Sequence, residues 1–162
     1  MTPRKNIDIS AYFVVGPENT KGRDVAEMIG EVVDVGYTCI QIRSKTASAK
    51  ELIELTAAAA KEIERLGKSD KVTLLVNDRL DVILAAREIG VKVDGIHIGQ
   101  TDIPVEVCRK YLGEDSVVGL SASKKDIFEY IKTTDVKDID YFGAGPLHET
   151  STKPDCGLDD NG

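Results

Sequence analysis

The chain has 162 residues, a formal net charge of −7, 41% hydrophobic residues and 30% charged ones. These proportions suit one globular domain with a sizeable core. They argue against a general nucleic-acid surface, which needs an excess of Lys and Arg. No apolar run approaches the roughly 20 residues of a membrane span, and MTPRKNIDIS at the amino end has no apolar signal core, so a cytoplasmic location without membrane partners is expected.

Elements follow one another in a regular alternation. AYFVVG (11–16) is predicted as a first strand. Residues 22–35 carry Val25, Met28, Ile29, Val32 and Val33 at helical spacing, with Gly36 as the stop. TCIQIR (38–43) reads as the second strand. Residues 48–66 form the longest helix, with Ser48 as N-cap, Glu51 closing a capping box and Gly67 as the stop. KVTLLVN (71–77) is the third strand, 79–89 a helix, VDGIHIG (93–99) the fourth strand. A helix runs from Pro104 to Leu112, DSVVGLS (115–121) is the fifth strand, 123–133 a helix and 138–147 the sixth strand. Cys39, Cys108 and Cys156 show no metal spacing and read as reduced thiols, Cys39 in a core strand.

Strand–helix alternation with near-continuous apolar strands predicts a parallel α/β fold with right-handed crossovers. An open doubly wound sheet and a TIM (β/α)8 barrel compete. No GxGxxG follows the first strand, which weakens the dinucleotide-binding alternative. Parity favours the barrel: Cys39, Gln41 and Arg43 share one face and Gly95, His97 and Gly99 another, opposite the isoleucines that would meet helices. A complete barrel needs eight units. Six strands and five helices are present. Residues 1–162 are therefore read as a single (β/α) barrel domain, incomplete, with about six βα units and the last two missing. A second copy of the chain, forming a homo-oligomer, is one way to cover the open sheet edges.

In such folds the site lies beyond the carboxyl ends of the strands. Arg43, Lys45 and Lys153 there suit a phosphate or diphosphate, and Ser121, Thr150 and Thr152 can donate to phosphate oxygens. Asp78 and Asp102 suit Mg²⁺, a hard cation that takes one or two carboxylates plus phosphate oxygens. Gln41 and Asn77 offer donor and acceptor to a nitrogen heterocycle. Plainer roles compete. Asp78 and Asp102 are also well placed to cap the helices that follow them, and Lys45 and Lys153 to be solvated loop residues. His97 is either a hydrogen-bonded core residue or part of the pocket floor.

QIRSK (41–45), NDR (77–79), DGIHIGQTD (94–102), GLS (119–121) and GAGPLHETSTK (143–153) together resemble the thiamine-phosphate synthase (thiamine-phosphate diphosphorylase) family, in the family's order and spacing. The resemblance implies a (β/α)8 transferase acting on small molecules. It would join 4-amino-2-methyl-5-pyrimidinylmethyl diphosphate to a thiazole phosphate, by Mg²⁺-assisted departure of diphosphate. By matching position it assigns Arg43, Lys45, Ser121 and Lys153 to the diphosphate and Asp78 and Asp102 to Mg²⁺. Gln41 and Asn77 would meet the pyrimidine, with His97 close by, and Thr150 and Thr152 the thiazole phosphate. A thiazole tautomerase-like phosphate-binding barrel and a non-catalytic fragment are the alternatives.

Overall fold

The computed structural model describes residues 7–122, 124–133 and 135–144. Six strands run β1 (Tyr12–Val15), β2 (Cys39–Ile42), β3 (Thr73–Asn77), β4 (Gly95–Ile98), β5 (Val117–Ser121) and β6 (Tyr141–Gly143). Between them lie α1 (Val25–Asp34), α2 (Ala49–Arg65), α3 (Leu80–Glu88), α4 (Val105–Leu112) and α5 (Lys124–Thr133), with a short 3-10 turn at Pro17–Asn19. All pairings are parallel, and the strand order is the chain order, β1 to β6. Among the described residues no helix is long and apolar enough to cross a membrane.

Local chemistry sets the boundaries. The Ser48 hydroxyl accepts from the Glu51 amide while the Glu51 carboxylate accepts from the Ser48 amide, the reciprocal box predicted for α2. Helix α1 starts at Val25, the first residue of its apolar pattern, rather than at the predicted residue 22, because Asp24 stays extended and accepts from the Glu27 amide. Strand β3 starts at Thr73 rather than Lys71, because the amides of Lys71 and Val72 are spent on the Lys68 carbonyl. Strand β6 is shorter than the predicted 138–147: Asp138 and Ile139 precede it in a turn, and 145–147 lie outside the described residues.

The sheet is not flat. Neighbouring strands sit about 4.8 Å apart, so a flat sheet would hold β1 and β6 roughly 24 Å from each other. Yet the hydroxyls of Tyr12 and Tyr141 are 2.7 Å apart and their rings 5.9 Å centre to centre. The sheet curls until its two outer strands touch through their inward side chains, and the two faces divide as parity requires. Ile40, Ile42, Leu74, Val76, Ile96, Ile98, Val118 and Leu120 pack outward with Ile29, Val33, Leu52, Ile63 and Ile83 of the helices. Cys39, Leu75 and Val117 pack inward with Tyr12 and Tyr141. Cys39 and Cys108 are both buried free thiols.

The amino end of the sheet is pinned by a device used twice. Asp94, one residue before β4, accepts the Leu74 amide of β3 at 2.8 Å and Lys92 Nζ at 2.9 Å. Asp140, one residue before β6, accepts the Val118 amide of β5 and Arg109 Nη2, both at 2.7 Å. Arg109, buried on α4, also donates to the carbonyls of Gly113, Ser116 and Asp138. With that end fixed by buried polar groups, the opposite end is left for chemistry.

Candidate active site

The carboxyl ends of the strands surround two adjoining cavities. The larger, about 470 Å³, is lined by Tyr12, Val14, Gln41, His97, Tyr141 and Phe142 among others. Its walls are aromatic and aliphatic with a few polar tips, the make-up of a small-molecule pocket. The smaller, about 170 Å³, is lined by Lys45, Asp78, Thr101 and Asp102. Arg43, Asn77 and Ser121 belong to both linings and form the wall between them. The inward parity of β2 to β5 thus delivers Gln41, Asn77, His97 and Ser121 to one rim, with Arg43 and Lys45 just past the end of β2.

Neither aspartate caps a helix. The residue at the start of α3 is Arg79, with no side-chain cap, and its guanidinium pairs with Asp81 instead. Asp78 sits one residue earlier at φ +60°, a left-handed conformation that turns it out of capping position. The residue at the start of α4 is Pro104, also without a side-chain cap. Asp102 Oδ2 accepts the Gly99 amide at 2.6 Å. A Cβ on residue 99 would lie 2.8 Å from that oxygen, so glycine is what lets the carboxylate fold in so closely.

Both carboxylates line the polar cavity. Burial and the neighbouring Asp102 charge push Asp78 up from 3.8 to about 6, against the opposing pull of Lys45 and Asn77. Two crowded carboxylates beside a cavity are a donor set for a hard divalent cation, whose charge would relieve that repulsion. Among the described residues no group of three or more His, Cys, Asp or Glu is arranged to hold a metal. Two carboxylates with phosphate and water oxygens match Mg²⁺ better than an all-protein cage.

The loop after β2 is anchored from below. Glu18 Oε1, in the 3-10 turn, accepts from Ser44 Oγ (2.6 Å), the Lys45 amide (2.9 Å), Thr46 Oγ1 (3.0 Å) and the Thr46 amide (3.3 Å). Burial alone would raise a carboxyl's pKa. Here the donors outweigh it and hold Glu18 down at about 2. An anion that is not in the polar cavity therefore fixes the loop that carries two of its cations.

His97 combines both roles considered for it. It is buried and hydrogen-bonded on both sides, Nδ1 to Tyr141 Oη and Nε2 to Ser121 Oγ, each at 2.8 Å, and it also lines the larger cavity. Thr150, Thr152 and Lys153 lie outside the described residues, as do His148 and Cys156. Tyr12, Tyr141 and Glu18 went unremarked in the sequence. Parity was the available signal for the tyrosines, since Tyr12 shares a face with Val14 and Tyr141 with Gly143. Tyr141 also needs Gly119 opposite it: a Cβ there would lie 2.2 Å from the ring.

A family model described as thiamine monophosphate synthase matches residues 11–158. Thiamine-phosphate synthase of Clostridium tetani is 36% identical over 152 residues, 94% of this chain and 67% of that protein. The enzyme of the same name from Syntrophomonas wolfei is 37% identical over 151 residues, 93% of this chain and 66% of that protein. Among solved structures, thiamine phosphate pyrophosphorylase from Pyrococcus furiosus superposes with a TM-score of 0.65 at 27% identity, covering 85% of this chain and 61% of that one. This chain spans about two thirds of the length of the relatives it matches. By sequence and by fold, the chain belongs to the thiamine monophosphate synthase family.

Proposed function

We propose that this chain is the larger part of a single-domain (β/α)8 barrel that makes thiamine phosphate. It would join 4-amino-2-methyl-5-pyrimidinylmethyl diphosphate to a thiazole phosphate and release diphosphate. One observation carries the proposal: an apolar-walled cavity and a cation- and carboxylate-lined cavity share Arg43, Asn77 and Ser121 as their common wall. A substrate with a flat heterocycle on one side and a diphosphate on the other needs that division.

In this reading Gln41 and Asn77 meet the pyrimidine edge, and Tyr12 and Tyr141 flank the ring. Arg43 and Lys45 hold the diphosphate, with Ser121 donating to it. Lys153 joins them, and Thr150 and Thr152 hold the thiazole phosphate. Asp78 and Asp102 would hold Mg²⁺, which would supply neutralising charge to the diphosphate. The bond between the pyrimidine methylene and the diphosphate oxygen breaks, and its electron pair leaves with the diphosphate. The thiazole nitrogen then donates its lone pair to the methylene carbon. Negative charge grows on the leaving group, so the fixed cations Arg43 and Lys45 stabilise the transition state more than the ground state. No protein nucleophile is needed.

Formation of thiamine phosphate and release of diphosphate by the chain, with both substrates and Mg²⁺, is the direct test. Calorimetry with pyrimidine diphosphate and Mg²⁺ tests the cavity pair separately. Arg43→Ala is expected to weaken that ligand far more than thiazole phosphate, and equal losses would count against the assignment. Binding of thiazole phosphate alone would favour a tautomerase-like barrel.

A further inference from the structure

Five side chains from five strands form one continuous line of hydrogen bonds across the curled sheet. Gln41 Nε2 donates to Tyr12 Oη at 2.6 Å, and Tyr12 Oη meets Tyr141 Oη at 2.7 Å. Tyr141 Oη meets His97 Nδ1, and His97 Nε2 meets Ser121 Oγ, each at 2.8 Å. The line begins at the residue assigned to the heterocycle and ends at one assigned to the diphosphate. We propose that Tyr12, Tyr141 and His97 are positioning residues that fix the Ser121 proton, presenting that hydroxyl as a donor to an anion in the polar cavity.

Starting from the amide of Gln41, the proposed direction accounts for each proton in turn. An amide nitrogen only donates, so the Tyr12 oxygen accepts from Gln41, and in the proposed line it passes its own proton on to Tyr141. Tyr141 in turn donates to Nδ1 of His97. A neutral imidazole with Nδ1 accepting carries its proton on Nε2. Nε2–H then donates to Ser121 Oγ, whose single proton is directed away from the histidine. Ser121 lines both cavities, with Arg43 beside it. Burial raises the phenol of Tyr12 to about 12 and that of Tyr141 higher still, so both keep the protons the line requires. Gly119 leaves the space that the Tyr141 ring fills, and Gly143 lets the His97 ring lie close by.

Placing the anion in the polar cavity rests on the function proposed above; the hydrogen-bond line itself does not. Two experiments separate the two. First, nitrogen NMR of the chain at about pH 8.5 reads the His97 tautomer. With two histidines in the sequence, a His97→Gln spectrum assigns the signal. Nε2–H is expected. Nδ1–H would mean that Ser121 donates to the histidine, and would overturn the proposal. Second, calorimetry reads Mg²⁺–inorganic diphosphate binding. Tyr141→Phe and Ser121→Ala should each weaken it about 3- to 10-fold, the range of one net hydrogen bond. The double variant should bind no more weakly than Ser121→Ala, because the tyrosine acts through the serine. Additive losses would overturn the relay. If diphosphate does not bind the unaltered chain, the function reading falls and the tautomer alone decides the relay.

Discussion

Replacing Asp78 by Asn should make the protein more stable and its site worse. Burial and the Asp102 charge raise the Asp78 pKa from 3.8 to about 6, so ionising it costs the folded chain. For a fully enclosed carboxyl that rise corresponds to about 3 kcal/mol. Asp78 is half-buried, and solvent screening reduces the figure to about 1 kcal/mol. The sign is set by linkage: the fold favours the protonated form, so its stability is intact below about pH 4 and declines as pH rises through about 6. Asn removes that cost and tolerates the left-handed backbone of residue 78, where Ala would add strain. Metal-free thermal unfolding at about pH 8 should show Asp78→Asn melting roughly 2–4 °C above the unaltered chain. At about pH 4 the two should coincide. Adding Mg²⁺ and diphosphate should stabilise the unaltered chain and leave the variant nearly unmoved. A variant that melts lower at pH 8, or by the same margin at both pH values, would refute the crowded-carboxylate account.

Two further outcomes test how the site is held. Glu18→Ala should expose the Lys45 and Thr46 amides to rapid hydrogen exchange while leaving α2 protected, and should weaken diphosphate binding several-fold. The Glu18 pKa is depressed to about 2, so its contribution is present above the ordinary value of 4.5. That contribution is lost as pH falls towards 2, where the unfolding midpoints of variant and unaltered chain should converge; a gap that persists there would count against the anchor. At the other end of the sheet, Arg109→Met should cost about 3–5 kcal/mol in urea unfolding, because it breaks a buried ion pair and the hydrogen bonds to the Gly113, Ser116 and Asp138 carbonyls. Adding Asp140→Asn should recover part of the loss, since its amide oxygen can still accept from Val118. A double variant less stable than Arg109→Met would show that the carboxylate matters for more than the pair.

Parity did much of the work in the sequence. Alternation along CIQI and GIHI separated an isoleucine face for helices from a mixed face for the interior, and Gln41, His97 and Ser121 all lie where that rule puts them. Whether Asp78 and Asp102 were caps or ligands was not legible. The two uses demand the same residue type shortly before a helix, and the backbone angle at 78 and the Gly99 contact at 102 show only that neither residue is a cap. Tyr12 and Tyr141 were invisible as a pair for a different reason. Their contact depends on how far the sheet has curled after five strand pairings, a sum that no local pattern carries. Glu18 escaped because it meets its partners 26 to 28 residues away, from a turn whose acidity looked like ordinary surface.

The strand order has a bearing on how this molecule comes to exist. Every strand pairs with the one made just before it, so a chain leaving the ribosome can grow its sheet one unit at a time, each closure local. The Tyr12–Tyr141 meeting is not local, spanning 129 residues. Until β6 docks, the growing sheet is an open ribbon, with Gln41 and His97 wet and Ser121 unaligned. Arrival of one tyrosine converts that ribbon into a walled pocket. Ligand-binding capacity should therefore rise abruptly during synthesis when β6 arrives, rather than in proportion to chain length.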